Sequence, residues 1–126
     1  LDNLKYINDT YRHHTRDLLL QKGDEILSQS IRASDTVSRL SGDEFTILLR
    51  NIESKGDILT IANKIIEKLS KPIMIKDDLE LNIGSSIGAA VYPDDAKDEE
   101  SLIKMADSAM YSAKENGKNR LKFYNE

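Results

Sequence analysis

The run Thr36-Val37-Ser38-Arg39-Leu40-Ser41-Gly42-Asp43-Glu44-Phe45-Thr46-Ile47-Leu48-Leu49 carries the reading of the fold. Thr36 to Leu40 and Phe45 to Leu49 are rich in β-branched, aliphatic and aromatic residues and read as strands. Ser41-Gly42-Asp43-Glu44 between them has turn composition, so the spacing predicts a β-hairpin with an acidic bend.

Upstream, a helix is expected from about Thr15 to Ile31, with Leu20, Leu27 and Ile31 on one face. Gly23 and Asp24 interrupt that face: a mid-helix glycine costs roughly 1 kcal/mol relative to alanine, and a buried aspartate needs a partner. Asn3 to Tyr11 reads as a shorter helix, with Leu4 and Ile7 on one side. Downstream, Ile58, Ile61, Ala62, Ile65, Ile66 and Leu69 draw an amphipathic helix over Ser54 to Leu69, which Pro72 stops. Leu79, Leu81 and Ile83 alternate as in a strand that continues through Ile87 to Val91 around Gly84 and Gly88. A last helix spans about Glu99 to Asn116, with Leu102, Ile103, Ala106, Ala109, Met110 and Ala113 as its stripe. Gly117 caps it, and Leu121 to Tyr124 closes as a short strand. Helices alternating with strands around one antiparallel hairpin imply an α/β or α+β sheet with helices packed on it.

At 126 residues the chain is expected to form one domain over residues 1–126. A net charge of -4 argues against a general DNA or RNA binder, which carries a basic surface, yet leaves room for a nucleotide held by a few lysines. The absence of cysteine removes disulfides and thiolate metal sites, and a cytoplasmic setting is expected. No apolar run reaches the ~18–20 residues of a membrane-spanning helix. The chain opens at Leu1 without methionine and reads as a piece of a longer protein.

Several segments fall together in one order. Ser41-Gly42-Asp43-Glu44-Phe45 resembles the motif of the GGDEF family, differing at its first position. Asp2, Lys5, Ile7-Asn8-Asp9, Tyr11, His13 and Asp17 are spaced as in that family's DxFKxINDxYGHxxGD stretch. Arg32-Ala33-Ser34-Asp35, followed by Arg39, resembles its RxxD motif, and Ser86-Ile87-Gly88 with Tyr92-Pro93 its late strand. Ala106-Asp107, Ala109-Met110-Tyr111, Ala113-Lys114 and Gly117-Lys118-Asn119 resemble its last helix and the following loop. The likeness covers essentially the whole chain. It implies a nucleotidyl-cyclase-like α+β fold: a central, mostly antiparallel sheet flanked by helices. It also implies condensation of two GTP into cyclic di-GMP and pyrophosphate by a homodimer that uses Mg²⁺ or Mn²⁺. Against the family pattern the chain lacks the first strand, the helix before it, and the metal-binding aspartate immediately preceding Leu1.

Phosphoryl transfer of this kind rests on positioning and charge neutralisation, and no GxxxxGK[ST] loop is present to hold phosphates in the P-loop manner. Gly42 lets a phosphate approach the backbone, while Asp43 and Glu44 are hard oxygen donors. The resemblance makes Asp43 a metal ligand, Glu44 a second acidic group at the metal or the attacking hydroxyl, and the Leu1 carbonyl a further ligand. On the same resemblance Gly42, Asp43 and Glu44 are the catalytic residues and Ser41 is a substrate-binding one. Asn8 and Asp17 match the guanine-reading pair, suited to the purine's N3 and to its N1–H and N2 amine. Lys5, Lys114 and Lys118 match positions that contact the triphosphate. Arg32, Asp35 and Arg39 match a product-binding inhibitory site.

Each residue also has a plainer reading: Asp43 and Glu44 as solvated turn residues, Asn8 and Asp17 as helix caps, the lysines as surface charge. Arg32 and Asp35 are on that reading an exposed ion pair worth ~0–1 kcal/mol. His13 reads as structural and His14 as incidental, since neighbouring helical residues face different ways. Ser41, Arg12 and Arg16 stand where the family has glycine, and Leu4 where it has phenylalanine. Two functions therefore stay open. One is an active diguanylate cyclase with product inhibition. The other is a silent GGDEF module that binds GTP or cyclic di-GMP and regulates a fused sensor or EAL phosphodiesterase domain, a junction that Arg120-Leu121-Lys122-Phe123-Tyr124 resembles.

Overall fold

The computed structural model describes residues 1–2, 13–41, 43–76 and 79–124. The expected helix over Asn3 to Tyr11, together with Lys5, Asn8, Arg12 and Gly42, lies outside the described residues. The chain divides into two compact units, Leu1–Gly84 and Ser85–Glu126.

The first unit holds α1 (His13–Ser30), β1 (Thr36–Ser41), β2 (Glu44–Leu48), α2 (Lys55–Ser70), β3 (Ile73–Lys76) and β4 (Leu79–Leu81). Its core forms where α1 packs against α2: Leu19, Leu20 and Leu27 meet a face carrying Ile58, Ile61, Ala62, Ile65 and Leu69. That i, i+3, i+4, i+7 spacing is the helical period read in the sequence, and each fully buried aliphatic side chain contributes roughly 1.5–3 kcal/mol. Asp57 reaches back from the first turn of α2 to accept the Glu53 N–H at 2.7 Å, since the Ser54 side chain makes no cap bond.

The α1 stripe is corrected in one respect. Asp24 is exposed and needs no buried partner, whereas Gly23 is buried, and a Cβ there would lie 2.9 Å from Leu1 Cδ1. The glycine makes room for the Leu1 side chain.

Two further departures concern the strands. Ile73–Lys76 forms β3, which the sequence reading did not foresee, paired antiparallel with β4. Nor does β4 continue into the next strand. Gly84 takes φ 75°, a left-handed conformation natural to glycine, and its N–H donates to the Leu69 carbonyl at 3.0 Å. Its carbonyl in turn accepts the Asp2 N–H at 3.2 Å.

The second unit holds β5 (Ile87–Ala89), α3 (Glu99–Glu115) and β6 (Leu121–Phe123). β5 and β6 run parallel, with Gly88 opposite Lys122, and α3 packs on both. A Cβ on Gly88 would collide with the α3 backbone at Ala106 and Met110, so only glycine permits this approach. Asp98 caps α3 by accepting the Ser101 N–H at 2.8 Å. After the helix, Gly117, Lys118 and Asn119 all have positive φ, and the Lys118 N–H donates to the Ala113 carbonyl at 3.0 Å. Two of the three ladders described are antiparallel, in keeping with the expected α+β class. Among the described residues no helix is long and apolar enough to cross a membrane.

Candidate functional site

The acidic bend forms as expected, and tighter. Ser41 pairs with Glu44, so strand pairing extends one residue further into the turn on each side than the composition indicated. Register shifts between Arg39 and Ser41. Such a bulge twists a hairpin tip and re-aims its side chains. Asp43 sits in the bend and Glu44 opens β2, both partly exposed. The Leu1 backbone nitrogen donates to the Asp43 carbonyl at 3.2 Å, which brings the main chain of residue 1 against the bend.

Along the flank of the hairpin runs an open groove of about 530 Å³ lined by Asp17, Leu18, Leu20, Gln21 and Asp24 of α1 and by Val37, Arg39 and Phe45. Asp17 therefore shares a groove with the aromatic residue of the Ser41–Phe45 motif and with Arg39. Arg16 is not among the lining residues. Gln21 and Asp24 were not foreseen as lining residues. Their signal was available, since positions 17, 21 and 24 follow the helical period and define a second face of α1, beside the one that packs in the core.

Among the described residues no three His, Cys, Asp or Glu side chains converge on a point. Mg²⁺ tolerates this, because it typically takes one or two carboxylates and completes its shell with water and substrate phosphates. Lys114 lies in the last turn of α3, half-buried, and Lys118 is exposed in the left-handed turn after it, both in the second unit.

Arg32 and Asp35 are not a surface ion pair. The Asp35 side chain is fully buried (0% exposed) and that of Arg32 is 42% exposed. Asp35 Oδ2 accepts Arg32 Nε at 2.8 Å and the Arg32 N–H at 3.1 Å, while Oδ1 accepts Arg32 Nη2 at 3.0 Å and the Arg50 N–H at 3.0 Å. Arg32 Nη2 also donates to the Arg50 carbonyl at 2.6 Å. The Arg32 hydrogen bond, aided by the two backbone N–H groups and opposed by desolvation, lowers the Asp35 carboxyl from 3.8 to about 2. Asp35 in turn raises Arg32 above its ordinary value.

The hairpin thus presents an acidic bend beside a groove of mixed polar and apolar lining. The sequence model described as "Diguanylate cyclase, GGDEF domain" matches residues 1–120. The chain is 42% identical over 124 residues to the bifunctional diguanylate cyclase/cyclic di-GMP phosphodiesterase MucR of Pseudomonas aeruginosa, covering 98% of this chain and 18% of that protein. It is 32% identical over 121 residues to diguanylate cyclase A of Treponema denticola, covering 96% of this chain and 32% of that one. Among solved structures, an EAL/GGDEF domain protein from M. capsulatus superposes with TM-score 0.92 at 40% identity, over 98% of this chain and 79% of the other. The GGDEF domain of TpbB (YfiN) from Pseudomonas aeruginosa gives TM-score 0.92 at 36% identity, over 97% and 76%. The chain belongs to the GGDEF family. It spans less than a third of the length of these two curated relatives.

Proposed function

We propose that this domain is a diguanylate cyclase that joins two GTP molecules into cyclic di-GMP with loss of pyrophosphate. The observation that carries the reading is the groove in which Asp17 meets Phe45 and Arg39 beside the bend that holds Asp43 and Glu44.

In this reading Asp17 accepts from the guanine N1–H and N2 amine, with Asn8 at N3. Leu18, Leu20 and Phe45 supply apolar walls for the base. Asp43 and Glu44, with the Leu1 carbonyl, hold Mg²⁺ or Mn²⁺. When bound, the cation neutralises charge on the transferring phosphoryl group and orients the attacking hydroxyl. The close Ser41–Glu44 turn, with Gly42 inside it, lets phosphate oxygens approach main-chain N–H groups. Lys5, Lys114 and Lys118 neutralise the triphosphate; Lys118 does so as a point charge, with no bidentate fork. The 3′-hydroxyl of each GTP attacks the α-phosphorus of the other in turn, each attack gives up the hydroxyl proton and breaks one α–β bridging bond, and two pyrophosphates leave for each cyclic di-GMP. Each protomer of a homodimer holds one GTP. Cyclic di-GMP returns to Arg32, Asp35 and Arg39 as inhibitor, and the domain serves a longer cytoplasmic signalling protein with a sensor or EAL partner. The reading is supported by Ser41, which pairs with Glu44 beyond the register shift, and by Arg16, which lies outside the groove lining.

The test is to incubate the intact protein with GTP and Mg²⁺ or Mn²⁺ and measure cyclic di-GMP and pyrophosphate. Release of two pyrophosphates for each cyclic di-GMP supports the cyclase. GTP binding that Asp17→Ala abolishes, with no product from the wild type, would establish the silent regulatory module instead.

A further inference from the structure

Residue 1 meets the acidic bend through its main chain and α1 through its side chain. Gly23 lies at i+4 from Leu19 and i−4 from Leu27, on the face of α1 that packs in the core. The helical period calls for a bulky apolar residue there, and glycine in a helix interior is destabilising relative to alanine. Another part of the chain fills the gap. A Cβ on Gly23 would lie 2.9 Å from Leu1 Cδ1, 3.7 Å from Cδ2 and 3.9 Å from Cγ, so the Leu1 side chain is seated tip-first against the glycine. Leu19 is 0% and Leu27 5% exposed, which anchors this seat in the first unit.

The main chain of residue 1 is held at two further points. The Leu1 nitrogen donates to the Asp43 carbonyl at 3.2 Å, and the Asp2 N–H donates to the Gly84 carbonyl at 3.2 Å. The Leu1–Asp2 peptide is planar and trans, so the bond to Gly84 also directs the Leu1 carbonyl away from Gly84. Asp2 is 2% exposed, which places this peptide inside the fold.

We infer that Gly23 is a positioning residue for the cation site: its missing side chain is the seat of Leu1, and the filled seat holds the Leu1 carbonyl at the bend where Asp43 and Glu44 stand. The inference rests on the reading of that bend and carbonyl as a Mg²⁺ or Mn²⁺ site. Gly23 touches neither cation nor nucleotide and acts through Leu1. A methyl at position 23 meets the tip of a flexible side chain, so the helix accepts it, and the displacement passes to the main chain of residue 1.

Three measurements on the intact protein test this. They are Mn²⁺ affinity in the presence of a non-hydrolysable GTP analogue, read from the paramagnetic resonance of the free ion, hydrogen exchange of the Asp2 amide by NMR, and urea unfolding. The proteins are wild type, Gly23→Ala, Leu1→Ala, Gly23→Ala/Leu1→Ala and Asp43→Ala. Gly23→Ala and Leu1→Ala should each weaken Mn²⁺ binding about five- to ten-fold. The double variant should lose no more than the worse of the two, because both changes break one contact. Exchange at Asp2 should quicken in the same variants. The urea midpoint of Gly23→Ala should stay at or above that of the wild type, since alanine favours the helix. Mn²⁺ affinity within about two-fold of wild type in Gly23→Ala, or losses that multiply in the double variant, would overturn the inference. A fallen urea midpoint in Gly23→Ala would do so too, by making the glycine purely structural. If Asp43→Ala left Mn²⁺ affinity unchanged, the cation reading of the bend would fall alone. Exchange at Asp2 in Gly23→Ala would then still decide the seat: quickened exchange upholds it, and unchanged exchange removes it.

Discussion

Asp35 and Asp43 flank the same strand, β1, and have opposite fates. Asp35 is buried and spends every acceptor position on Arg32 and Arg50. Asp43 stands partly exposed in a bend whose main chain is met by Leu1. Burial makes a carboxylate expensive unless it is saturated with donors. Exposure leaves coordination capacity at little cost to the fold. The chemistry of a cation-holding bend and the tying of one chain segment to another thus follow from the same side chain in two surroundings.

The contrast breaks most sharply on activity. Asp43→Ala and Glu44→Gln should each lower cyclic di-GMP formation by about 10²–10³-fold, as loss of a transition-state electrostatic contact does. Their unfolding free energy should stay within about 0.5 kcal/mol of wild type, as for other surface changes. A stability loss matching the activity loss would place Asp43 in the fold instead. Asp35→Ala should show the reverse weighting. The expected cost is about 2–3 kcal/mol in urea unfolding, below the 3–5 kcal/mol of a wholly buried pair because Arg32 is partly exposed.

Acid sharpens the same comparison. The Asp35 carboxyl is lowered on folding from 3.8 to about 2. A depressed folded value means the stabilisation is fully present above the unfolded value and drains away as pH falls through the folded one. Arg32 and the Arg50 N–H face the carboxylate directly, and Asp57 acts on Arg32 from α2; the arginine stays protonated across this range, so the window belongs chiefly to Asp35. Unfolding free energy should therefore fall between about pH 4 and pH 2, and in Asp35→Asn this component of the fall should vanish. The smallest effect should come from Asp98→Ala. That exposed carboxylate caps α3 through the Ser101 N–H and hydroxyl, and its loss should lower the melting temperature by less than Asp35→Ala does.

Much of this was legible in the chain. The helices α2 and α3 follow from the period of their buried residues, and the hairpin from two apolar runs around a Gly-Asp bend. Residues governed by tertiary contact were not. Ile73–Lys76 is a short apolar run after Pro72, with too little alternation to separate a strand from a loop. The break after β4 depends on the Gly84 carbonyl and N–H being claimed by Asp2 and Leu69. Asp24 looked like a defect in a core face because its helix has two working faces, one towards α2 and one lining the groove. The tie at Asp35 was half visible: Arg32 and Asp35 are a recognisable pair, but Arg50 joins through main-chain groups that carry no side-chain signature. In the groove, Asp17 lies with Phe45 and with Arg39, a residue that the motif likeness grouped with Arg32 and Asp35 instead.

The central claim is that Asp17, in the groove beside the acidic bend, reads the guanine. The most direct measurement compares kcat/KM for GTP and ITP, whose base lacks the N2 amine, in wild type and Asp17→Ala. A hydrogen bond to a charged group contributes about 1.5–3 kcal/mol, so the wild type should prefer GTP by roughly 10–100-fold, and Asp17→Ala should lose most of that preference along with its affinity for GTP. Equal use of GTP and ITP by the wild type, or a preference that survives in Asp17→Ala, would contradict it.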